Sequence, residues 1–146
     1  MLTLERLLAQ SRSDRARAVE LVTIVSSDCS SDTAERAALD MERVAGSRQR
    51  TLDGLNAVNG PTAAAIETVS RLRGALEHSI EANRHYVDWM NALVTSGCSP
   101  TPPSRAAFLA ADQASARATA AKKAFVVAFN PLARRFGRPT WTHDRI

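Results

Sequence analysis

His78, Glu81, His85 and Asp88 stand three or four residues apart in the stretch HSIEANRHYVD. That separation gathers side chains on one side of a helix, as a helix-borne metal site requires. The same register sets them opposite Ile80, Val87 and Met90, so they are predicted on the water side, where no buried ligand shell can form, and no metal is expected. Arg73 and His78 could pair a phosphate-steadying guanidinium with a proton-transfer group, but with Gly74 following Arg73 both read as surface residues. There is no glycine-rich phosphate loop, no nucleophile elbow and no cysteine–histidine pairing. The chain is expected to do no chemistry and to need no cofactor.

The arginines offer more. Arg48 and Arg50 flank a predicted helix end in GSRQRTLDGLNAVNGPT, and Arg71 sits inside the next helix. In an antiparallel pair these guanidiniums would meet near one end, and arginine forks match phosphate oxygens and release counterions on binding. The overall charge of +4 is uneven. Residues 117–146 carry seven cations against Asp144, a local +6, which leaves −2 on residues 1–116. An asymmetry of this kind points to a nucleic acid, a membrane surface or an acidic protein.

The elements that would position these residues are all helical. Apolar residues recur at a period of 3.6, alternation of the strand type is nearly absent, and 146 residues suffice for one self-sufficient core. The first segment, from Leu2, is either one bent helix or two with Ser13 as a cap. Asp32 with Glu35 predicts a helix start, and the helix runs to about Val58 on a stripe of Met41, Ala45, Leu52 and Leu55. After Asn59-Gly60-Pro61 comes the longest helix, striped by Ile66, Val69, Leu76, Ile80, Val87, Met90 and Val94, interrupted at Arg73 and Asn83, and stopped by Gly97. Ser104 is expected to cap a further helix that faces its core with Phe108, Ala111, Ser115, Ala118, Phe125 and Phe129 and stops at Pro131. The predicted fold is an all-α antiparallel four-helix bundle over residues 1–130. A basic, proline- and glycine-broken arm follows over 131–146, with Arg134, Arg135, Phe136, Arg138 and Trp141 as docking residues. Cys29 and Cys98 fall in connectors at one end of such a bundle, where a bridge is geometrically possible. With no leader or membrane span legible in the sequence, a cytoplasmic location with two free loop thiols is expected instead.

The stretch SRQRTLDGLNAVNGPTAAAIETVSRLRGAL, residues 47–76, resembles the corresponding part of tobamovirus-type coat proteins. It shares a paired arginine, an asparagine turn with proline and threonine nearby, and a long helix with an early arginine. RARAVELV at 15–22 and TWT at 140–142 are shorter echoes in the same order. The resemblance implies a coat subunit of a virion, self-assembling in a helical rod around single-stranded RNA in the host cytoplasm, without any membrane. Arg48, Arg50, Arg71 and Arg17 would face the RNA, and Asp53 would serve as an assembly carboxylate. The pattern departs from the family at Arg73 and Gly74, where the family has an acidic pair, and in helix 104–130, which has no counterpart. The alternative is a cytoplasmic helical-bundle adaptor or secretion chaperone whose apolar groove takes a partner helix.

Overall fold

A computed structural model describes residues 2–146. Four helices, α1 (Leu2–Ser27), α2 (Ser31–Leu55), α3 (Ala63–Ser96) and α4 (Pro102–Arg135), are followed by a short 3-10 turn at His143–Arg145. They form the antiparallel four-helix bundle that the periodicity predicts. No described helix is long and apolar enough to cross a membrane.

Local chemistry explains most boundaries. Ser30, not Asp32, caps α2, accepting from the Thr33 N–H. Thr62 caps α3 in the same way, and at α4 Thr101 and Ser104 cap reciprocally, so that Ser104 is the third helical residue rather than the cap. Gly97 ends α3 in the left-handed conformation, at φ 61°, which glycine enters without a Cβ penalty. The ambiguity at Ser11–Ser13 resolves into one continuous α1, because Ser11 and Asp14 lie on its buried side between Leu8 and Ala18. Pro131 does not stop α4, which continues to Arg135. Pro131 and Val127, one turn before it, are both exposed, so the ladder bond lost there faces solvent. The expected boundary at residue 130 therefore moves to about residue 136.

Packing is sequential, α2 on α1, α3 on α2 and α4 on α3, whereas the α1 and α4 backbones stay apart and meet only through side chains. Close approach of α1 and α2 depends on Gly54, where a Cβ would come within 3.1 Å of Leu7. Two apolar clusters result. One joins Leu21, Val25, Met41, Trp89 and Met90 near the end that carries the connectors of Cys29 and Cys98. The other joins Leu8, Leu55, Leu76, Phe125, Phe129 and Ile146 near the opposite end. Ile66, expected in the α3 stripe, is 61% exposed instead, because the stripe begins at Thr68 and Leu72.

The cysteines are joined. Cys29 and Cys98 form a disulfide across the connectors that follow α1 and α3, which corrects the expectation of two free thiols. The terminal segment also differs from a free arm. Asn130 donates to the Trp141 carbonyl and accepts from its N–H, both at 2.9 Å. Arg138 forks onto Glu5, Arg15 donates to the Asp144 carbonyl at 2.6 Å, and the Arg145 guanidinium lies 5.7 Å from the centre of the Trp141 ring. The segment crosses the α1–α4 seam and packs on its own bundle.

Candidate functional site

Between the two apolar clusters lies a polar layer to which each helix contributes. From α1 come Ser11 and Asp14, from α2 Arg48, from α3 Ser79 and Asn83, and from α4 Lys122, all of them buried. Each occupies a core position of its helix. Arg48 continues the Met41, Val44, Thr51, Leu55 stripe at the three-and-four spacing of a core face, and Lys122 stands in the same way between Ala118 and Phe125.

Arg48 is only 4% exposed. One Nη donates to the Asn83 Oδ1 at 2.8 Å and to the Ser79 carbonyl at 3.2 Å. Its Nε and the Asn83 Nδ2 find no partner among the described residues. Lys122, 6% exposed, donates to the main-chain oxygen of Ile146 at 2.6 Å. Burial lowers the pKa of Arg48 to about 10, with the Asp14 charge acting in the opposite direction. Burial also lowers Lys122, with help from the charges of Arg48 and Arg15, to about 7. Among the described residues no Asp or Glu side chain is in salt-bridge contact with the guanidinium or the amine, although the buried Asp14 lies close enough to raise the Arg48 pKa. With the Arg48 Nε left unpartnered, the arrangement favours an incoming anion.

These groups border one cavity of about 260 Å³ that opens along the α1–α4 seam, with Arg15, Arg48, Asn83 and Lys122 among its walls. Tyr86 and Thr119 complete the rim. A second chamber of about 480 Å³ lies further along the seam toward the disulfide, walled by Val25, Trp89, Leu93, Phe108 and Leu109. Tyr86 stands between the two: it lines the first and donates to Asp112 of the second at 3.2 Å.

The arginines picked out for RNA are not gathered into a cradle. Arg48 faces the interior, whereas Arg50 is exposed beside Arg6 in a shallow groove between α1 and α2. Residues two apart on a helix cannot share a face, and that geometry separates the pair. Arg71 is exposed and bonded to Glu67 one turn back. Arg17 bridges α1 to α2 through Asp40 and also meets Glu20. Asp53 accepts from Gln49 at 3.0 Å on the outer face of α2. Of the terminal residues, Arg138 and Trp141 are engaged within the chain, while Arg134, Arg135 and Phe136 are exposed. His78 with Glu81 and His85 with Asp88 form two separate pairs along α3, and no group of three metal-capable side chains occurs among the described residues.

Lys122 and Asp14 went unrecognised as site residues, and Asn83 stood out only as an interruption of the α3 stripe. The available signal was register: a cation where the stripe demands a core residue, on two helices.

Fold and cavity together define a class: a four-helix bundle with a cationic, ligand-sized cavity between helices. Comparison with protein-family models, curated proteins and solved structures gave no match, so the cavity itself carries the functional argument.

Proposed function

We propose that this protein is a non-catalytic binding module that takes an anionic group into the cavity between α1 and α4. One observation carries this reading: Arg48 and Lys122, both buried, border the same cavity. Burying two cations is costly unless something offsets it, and an anion entering the cavity would do so for both. Volumes of about 260 and 480 Å³ lie around the lower end of small-ligand sites. They admit side chains or small molecules rather than a partner helix about 10 Å across. The disulfide supports a working place in an oxidising compartment, where such bonds persist.

A coat subunit would need its RNA-facing arginines on one accessible surface, and burial of Arg48 removes one of them. The experiment that separates the two is direct. Calorimetry of the purified chain with acetate and with inorganic phosphate, at constant ionic strength, is expected to give saturable binding that Arg48→Met abolishes. Absence of binding, together with rods in negative stain and RNA retention that Arg50→Glu and Arg71→Glu remove, would replace this module with a coat subunit.

A further inference from the structure

The ligand's chemical class can be read from what adjoins the cations. The first chamber ends at Tyr86, whose ring packs edge-on against Trp89 at 6.2 Å and against Phe108 at 6.0 Å. Trp89 and Phe108, themselves 4.9 Å apart, wall the second chamber. Both chambers lie along the seam between α1 and α4, whose backbones stay apart. One end of the seam is thus cationic and the other aromatic and aliphatic, with a rim of exposed apolar side chains at Val19 and Leu109.

We infer that the seam binds an amphipathic organic acid, its carboxylate between Arg48 and Lys122 and its apolar tail passing Tyr86 into the chamber of Trp89 and Phe108, a ligand class that rests on the anion site proposed above. Charge complementarity sets the orientation. A carboxylate meets two buried cations at the inner end, whereas the outer chamber sets one exposed cation, Arg105, beside Asp112 and is otherwise walled mainly by aromatic and aliphatic side chains. Length follows from helix geometry. Asn83, which holds Arg48, and Trp89 are six residues apart on α3, a rise of about 9 Å. An acid must extend about that far to fill both chambers, and acetate cannot. Tyr86 is the element a tail must displace or slide past, and its bond to Asp112 at 3.2 Å is exposed enough to exchange.

Isothermal calorimetry with sodium octanoate, acetate and octanol tests this, with tryptophan fluorescence as a second readout at Trp89. Octanoate is expected to bind at least about 100-fold tighter than acetate, because each methylene buried adds to affinity, and to shift the emission, whereas octanol does not saturate. Arg48→Met should abolish octanoate binding. Leu109→Glu, at an exposed rim position that leaves the fold intact, should weaken octanoate at least about tenfold and leave acetate unchanged. If acetate or phosphate binds in an Arg48-dependent way while octanoate is no tighter, the amphipathic class is overturned and the anion site stands. If octanoate binds equally to Arg48→Met, or if Leu109→Glu weakens acetate and octanoate alike, the assigned orientation is wrong. If no anion binds, both fall.

Discussion

The two ends of the α1–α4 seam are built from the same pair of helices and meet opposite fates. At one end Leu4 and Leu8 of α1 and Phe125 and Phe129 of α4 share a cluster that Ile146 completes, with Trp141 packed against it. At the other, Val22 and Phe108 are only partly buried, and the helix ends are tied by Cys29–Cys98 through α3 rather than by packing on each other. The large aromatics Phe125 and Phe129 of α4, and the chain that returns over them, fill at one end a gap that the small α4 residues Ser115, Ala118 and Thr119 leave open further along. Side-chain volume along one helix thus decides where a bundle is sealed and where it can hold a ligand.

That contrast can be broken from either end. The largest effect is expected from Phe125→Ala in the sealed half. Phe125 is fully buried and stacks on Phe129 at 5.2 Å, and its loss should cost about 3–5 kcal/mol in urea unfolding and loosen the terminal segment. Opening the disulfide at the other end, by Cys29→Ser with Cys98→Ser, releases a closure over a separation of 69 residues. A loss of about 4 kcal/mol is expected by the chain-entropy relation, with the Trp89 chamber disordered before the Phe125 cluster in hydrogen exchange.

The polar layer between the halves gives a pH signature. Lys122 falls from 10.5 to about 7 on folding, so between those values the unfolded chain holds a proton that the folded chain has released. Stability therefore rises with pH through that window. Wild-type protein should gain about 2–3 kcal/mol from pH 6 to pH 9 relative to Lys122→Met, measured by urea midpoints at both pH values. Anion affinity should fall over the same range as the amine loses its charge. The smallest effect is expected at the edge of the seal: Asn130→Ala removes the two bonds to the Trp141 main chain. It should cost about 1 kcal/mol and red-shift the Trp141 emission, while octanoate affinity is unchanged.

Much of the architecture was legible beforehand. The 3.6 period, the proline and glycine breaks and the left-handed stop at Gly97 are local properties of the chain, because helix formation and capping depend on residues within a turn of one another. The same locality set the connectors that carry Cys29 and Cys98 at one end, which made a bridge geometrically possible. The site was less legible. Arg48 and Asn83 were noticed, one as an RNA contact and the other as an interruption of a stripe, and Lys122 only as part of a charge count.

The sequence by itself determined four helices and their order, since periodicity and caps are read over neighbouring residues. Only tertiary structure decided that Arg48 and Lys122 point inward to one cavity, that the terminal segment seals one half of the seam, and that the other half stays open. The physical reason is that a charged residue on a stripe position is turned inward or outward by the phase in which whole helices pack. That phase is set by the volumes of all four core faces at once.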